Sequence, residues 1–234
     1  MRPTFCKSAL ILLALIGSAA SQATPVRLDN SDWWSQLRTG EWPVGIKSWN
    51  RAPATTNFEI DGLFVNTDFS KIQSKYGKAT VVQRGDASTY RSQLCYASLS
   101  GNVHLIFEVG EIENVAYLFK DGHDWTGSHL CTKSARITNR LLTASGLKLG
   151  VSPADVRRIL GPPSTVVGDR TFYLFEYRHK TSAKELVALR KSTPDMSDAE
   201  VKKFLEFGDV TAYIEARFVH GKLNYLAISR SETY

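Results

Sequence analysis

Cysteine is scarce in this chain of 234 residues, with three in all: Cys6, Cys95 and Cys131. That excludes a disulfide-dense scaffold and any zinc site built on cysteine pairs. Runs of like charge are missing too. The formal net charge is +6 and the sequence pI is about 9.2. The charges are scattered, and the mild basic bias of the second half rests on Arg136, Arg140, Arg157, Arg158 and Arg170. Without a basic stretch, nucleic acid is not an expected partner. No apolar run reaches the roughly 20 residues that a bilayer-spanning helix needs, so no transmembrane segment is expected in the mature chain. Gly-x-Ser-x-Gly, phosphate-loop, dinucleotide-loop and His-Glu-x-x-His patterns are absent. No catalytic residue, cofactor or metal site is therefore read, and the chain is not expected to be an enzyme.

The N-terminus has the composition of a secretory leader. Arg2 and Lys7 precede the apolar run Ala9 to Ile16, and small residues from Gly17 to Ala23 follow. This predicts a signal peptide over 1–23, cleaved after Ala20 or Ala23. Cys6 lies ahead of the apolar run, so it is not a lipid-bearing cysteine at the cleavage site. The expected location is periplasmic or secreted. An oxidising compartment makes a Cys95–Cys131 disulfide the default for the two remaining cysteines.

What the chain does contain is repetition. Gly62-Leu63-Phe64-Val65-Asn66-Thr67-Asp68, followed by Ile72, Tyr76 and Gly77, matches Gly146-Leu147-Lys148-Leu149-Gly150-Val151-Ser152, followed by Val156, Leu160 and Gly161, at an offset of 84. Gly85-Asp86 with Tyr90 is echoed by Gly168-Asp169 with Tyr173. Phe107 to Gly110 is echoed by Phe218 to Gly221. A duplicated unit builds surface more readily than it builds one active site.

Each copy reads as a helix followed by four strands. In repeat 1 (58–135), Asp68 caps a helix with Phe69, Ile72 and Tyr76 at helical spacing. Strands follow near 79–84, 89–99, 103–109 and 112–119. In repeat 2 (136–234), Ser152, Pro153 and Asp155 open a helix that Gly161-Pro162-Pro163 stops. Its strands fall near 164–168, 171–178, 211–220 and 222–229. Alternation leaves the strand after Phe172 without a defined face, because it is apolar on both sides up to Glu176. Between its second and third strands repeat 2 carries an insertion, 181–209, with two capping boxes, Ser182 with Glu185 and Ser197 with Glu200. It reads as a helical hairpin closed by Gly208. The fold class is thus α+β: two tandem helix-on-four-stranded-antiparallel-sheet repeats. A leading segment, 24–57, holds Trp33, Trp34, Trp42 and Trp49. It either wraps the fold or forms an aromatic binding lip.

The run Gly146 to Ser152, the Leu160-Gly161-Pro162-Pro163 stop, Asp169 with Phe172-Tyr173, and Phe218-Val219-His220-Gly221-Lys222-Leu223 resemble the SmpA/OmlA family. More broadly they resemble the fold of β-lactamase inhibitory proteins. Repeat 1 departs from the pattern at Asn66 and lacks prolines after Gly77. The resemblance implies sheet surfaces that grip other proteins. It points to an inhibitor or immunity-type partner of an extracytoplasmic enzyme. The alternative is an envelope or outer-membrane-protein assembly factor.

Strand parity supplies the candidate contacts. Leu105, Phe107 and Val109, with Ile214, Ala216 and Phe218, share the face expected to pack on the helices. The opposite face carries His104, Ile106 and Glu108, or Tyr213, Glu215 and Arg217. That mixture on an open sheet suits protein recognition. The segment with His123, Asp124, Trp125 and His129 matches no closed metal motif; Trp125 is read there as a contact residue.

Overall fold

A computed structural model of the chain describes Val26–Arg27, Pro43 and residues 45–85, 90–111, 113–120 and 127–233. The expected leader, Trp33, Trp34, Trp42, His123, Asp124 and Trp125 lie outside these residues. Among the described residues no helix is long and apolar enough to cross a membrane.

The architecture is α+β around one mostly antiparallel sheet. Its strands are β1 (Val26–Arg27), β4 (Val82–Arg84), β5 (Arg91–Ala97), β6 (Val103–Gly110), β7 (Asn114–Lys120), β8 (Thr132–Lys133), β9 (Thr165–Val167), β10 (Arg170–Lys180), β11 (Phe207–Val219) and β12 (Lys222–Thr233). A small separate ladder joins β2 (Glu59–Ile60) to β3 (Leu63–Phe64). The main order is β1-β4-β5-β6-β7-β12-β11-β10-β9, and β8 pairs β5. The two expected four-stranded sheets are therefore halves of one sheet. They meet where β7 pairs antiparallel with β12, from Phe119↔Tyr225 to Val115↔Ser229.

A short helix precedes each half. Helix α1 (Phe69–Tyr76) begins at Asp68, whose side chain makes no capping hydrogen bond. Helix α2 (Pro153–Leu160) begins with a complete capping box. There the Asp155 amide donates to Ser152 Oγ at 3.2 Å and the Ser152 amide donates to Asp155 Oδ2 at 3.3 Å. Arg158 and then Ser152 hold the Asp155 carboxyl down to about 2. Gly161 ends α2 at φ +85°, where an added Cβ would come within 3.1 Å of Arg51 Nη2.

The main core lies on the helix side of the sheet. It joins Ile72, Tyr76, Val156 and Leu160 of the helices to Leu105, Phe107, Ile214, Ala216 and Phe218 of the strands. Phe58, Ile60, Val65, Leu147 and Leu149, from the segments before α1 and α2, fill the gaps. Burying each such side chain contributes about 1.5–3 kcal/mol.

The sheet also has a second core on its other face, which the sequence reading placed in solvent. Val82, Cys95, Ile106, Val115, Tyr117, Phe119, Tyr225 and Ala227 are buried there, with Leu130, Cys131 and Tyr213 packed against them. Cys95 and Cys131 lie at disulfide distance, with Cα atoms 4.5 Å apart. The link holds the turn Gly127–Leu130 over this face, while β8 lies beside β5 in parallel. Both Phe172 and Tyr173 are 1% exposed. That double burial is why alternation gave β10 no defined face.

The insertion is a pair of helices, α3 (Ala183–Ser192) and α4 (Asp198–Leu205), each with its capping box formed. Gly208 does not end α4, contrary to expectation. The helix stops at Leu205 and Gly208 is already in β11, opposite His179.

Candidate functional site

The parity-selected residues divide by half. His104 and Glu108 are both 0% exposed. They are corrected from surface contacts to buried groups, because the face they occupy is covered. His104 stacks on Phe119, ring centroids 5.1 Å apart, and burial pushes its imidazole down to about 4. Glu108 accepts from Tyr117 Oη at 3.2 Å and from Gln93 Nε2 at 3.4 Å, with Arg91 Nε 3.3 Å from its other oxygen.

In the second half, Glu215 is 7% exposed and is held by the fold itself. Its Oε1 accepts from Arg170 Nε at 2.8 Å and from Arg217 Nε at 2.6 Å. The Arg217 guanidinium lies 3.9 Å from the Tyr225 ring centroid and the Arg170 guanidinium 4.7 Å from that of Phe172. Glu215 is thus the anchor of a two-arginine, two-aromatic cluster, and not a projecting contact. Tyr213 and Arg217 are half-buried. Thr211 and Glu176, farther along the same face, are exposed.

An open, apolar surface lies elsewhere among the described residues, on the helical hairpin. Its root is fixed where β10 and β11 leave the sheet. The Thr181 amide donates to the Glu206 carbonyl at 2.8 Å, and Lys180 pairs with Glu206 at 3.5 Å. Beside it His179 pairs with Glu232, which also takes Arg230 at 2.9 Å. The hydrogen bond to Glu232 raises the His179 imidazole above its ordinary range. At the far end Arg190 ties the helices together. It donates to the carbonyls of Thr193 and Met196 and pairs with Asp198 at 3.4 Å.

Between α3 and α4 opens a groove of about 670 Å³, with Leu186, Val187 and Val201 as its apolar wall and Arg190, Lys191 and Asp198 at its rim. Val187 is 60% exposed. Phe204 and Phe207 are 52% and 40% exposed, each beneath a cation: Lys203 Nζ 5.1 Å above one, the Arg178 guanidinium 4.9 Å above the other. Val201 and Leu205 are buried, yet among the described residues no hairpin side chain belongs to either core cluster. The two capping boxes and the extra length of the second copy located this element in the sequence, but its groove depends on how the helices are paired and had no sequence signal.

Among the described residues no three His, Cys, Asp or Glu side chains assemble as a metal site would require. Burial raises the Tyr96 and Tyr173 phenols to about 12, away from any role as a base near neutrality. Searches of protein-family models, curated proteins and solved structures return no match to this chain.

Proposed function

We propose that this chain is an exported, non-catalytic protein-binding protein, an inhibitor or immunity-type partner of an extracytoplasmic enzyme. The observation that carries this reading is the inserted hairpin. It presents an apolar groove and exposed aromatic side chains while adding nothing to either core cluster. Exposed apolar area that stability does not use is characteristic of an interaction surface. The exposed Phe204 and Phe207, the latter beneath the Arg178 guanidinium, match the aromatic and arginine enrichment of protein interfaces. The two sheet halves, each preceded by a capped or glycine-stopped helix, are read as copies of one SmpA/OmlA-like unit. On that reading the hairpin is what distinguishes the second copy.

Affinity purification from periplasm tests the proposal. The expected result is one soluble hydrolase or toxin whose activity falls as purified protein is titrated in. Recovery of outer-membrane proteins with their assembly machinery, and no effect on any soluble enzyme, would replace the inhibitor reading with an assembly role.

A further inference from the structure

We propose that the end of the sheet remote from the helical hairpin seats on an anionic lipid surface. This role is separate from partner binding by the hairpin and does not depend on it. A strap, residues 134–150, joins the two halves of the chain. The Ser134 amide donates to the Ala97 carbonyl at the close of β5, and the Gly150 amide to the Leu223 carbonyl at the opening of β12, both at 2.8 Å. Between these bonds the strap lies along the end of the sheet where β5 turns into β6 and β7 finishes at Lys120. Ile137, Leu141, Leu147 and Leu149 are buried and hold it there. Arg136, Arg140, Leu142 and Lys148 are exposed.

The strap and its approach carry charge of one sign. From Gly127 to Ala154 the chain has Lys133, Arg136, Arg140 and Lys148 and no aspartate or glutamate. Lys120 adds a fifth exposed cation. Among the described residues none of the five forms an ion pair. Two acidic residues meet the strap through their backbones. The Asp61 amide donates to the Leu142 carbonyl at 3.0 Å, and the Ala144 amide to the Glu59 carbonyl at 2.9 Å. The Asp61 carboxylate is taken by Lys75, 2.9 Å away. The five cations therefore outnumber Glu59, the other carboxylate beside the strap.

Apolar side chains stand out among these cations. Leu99, in the turn between β5 and β6, is 63% exposed and Leu142 43%. They belong to two grooves that share Asn139. One, of about 440 Å³, holds Leu99 and Lys120; the other, of about 510 Å³, holds Arg140, Leu142 and Lys148. Leucines among unpaired cations fit a headgroup layer, where apolar tips reach the acyl boundary and cations stay with the phosphates. Three of the five cations are lysines, which protein interfaces disfavour and anionic lipids attract. Seated this way, the chain holds its hairpin clear of the bilayer. Tyr225 of β12 pairs with Phe119 near the basic end, and Thr233 pairs with Asp209 beside the hairpin. The eight residue steps from Tyr225 to Thr233, at about 3.3 Å each, separate the two ends by roughly 26 Å.

Vesicle co-sedimentation tests this on protein purified from the periplasm. The vesicles are phosphatidylcholine with phosphatidylglycerol, or phosphatidylcholine alone. The expected result is sedimentation with the anionic vesicles only, lost as salt rises toward about 1 M, where the screening length falls to about 3 Å. Lys120→Glu with Arg140→Glu and Lys148→Glu should weaken binding by on the order of a hundredfold. Where that variant does not fold, the three corresponding Gln substitutions replace it. Leu99→Ser with Leu142→Ser should weaken binding at unchanged charge. Lys184→Glu with Lys191→Glu and Lys203→Glu, an equal change of charge on the hairpin, should leave it unchanged, because that distance exceeds the screening length. An equal loss from the hairpin variant, or no preference for anionic vesicles, would overturn the proposal. So would no vesicle binding at all, including the case in which the same cations retain an acidic periplasmic protein instead.

Discussion

At the scale of single residues, burial rather than surface chemistry governs the groups that strand parity selected. His104 is fully buried between neighbours that include Phe119 and the cross-strand Ala97, and its imidazole titrates near 4. The unfolded chain therefore takes up a proton first, with an ordinary pKa of about 6.5. Stability is complete above that value and falls as the pH drops toward about 4. The loss is on the order of 3 kcal/mol across the window. Urea unfolding at stepped pH should show this slope, and His104→Leu should flatten it. Glu215 is a different case, a buried carboxylate bonded by two guanidinium partners. Glu215→Gln leaves Arg170 and Arg217 facing each other with side chains 21% and 15% exposed. The expected cost is about 3 kcal/mol in the urea midpoint, with little relief from added salt.

At the scale of elements, local chemistry was legible and tertiary covering was not. Ser152, Ser182 and Ser197 announce helix starts through contacts three residues away, so the sequence contains the whole cap. Asp68 shows the limit, since the helix starts there but the side chain makes no cap hydrogen bond. Accordingly, Ser152→Ala should cost about 1 kcal/mol by thermal or urea unfolding, and Asp68→Ala clearly less. The second core was missed because alternation tells which residues share a face, not what lies above it. One signal for it was present. Cys95 shares a face with Ile106, so a bridge to Cys131 draws the Gly127–Leu130 turn over that face. The hairpin was found from its caps, whereas its end was misplaced. Gly208 is a helix stop in isolation and a strand residue once β11 pairs with β10 and β12.

At the scale of the whole molecule, one sheet carries both halves, and a single cross-link secures the covering of its second face. Cys95 and Cys131 are 36 residues apart. Cys95→Ser with Cys131→Ser should lower stability by about 3 kcal/mol, through loop closure and loss of the turn whose Leu130 packs on the cluster that holds Ile106. The sequence reading anticipated an α+β chain of antiparallel strands, in two separate four-stranded sheets. It did not reveal that β7 and β12 would join them, because edge pairing is set by which strand ends remain open after each half forms. The hairpin stands apart from this construction. Its ends lie on neighbouring strands, with Lys180 paired to Phe207, so a short glycine-containing turn can replace residues 182–205 without stretching the ladder. The most direct test uses that replacement beside the intact protein as bait in the same periplasmic extract, with near-UV circular dichroism and the urea midpoint recorded for both. The account predicts a folded variant of nearly unchanged midpoint that no longer retains the soluble enzyme captured by the intact chain. A folded variant that retains the same partner, or a variant that does not fold, would contradict it.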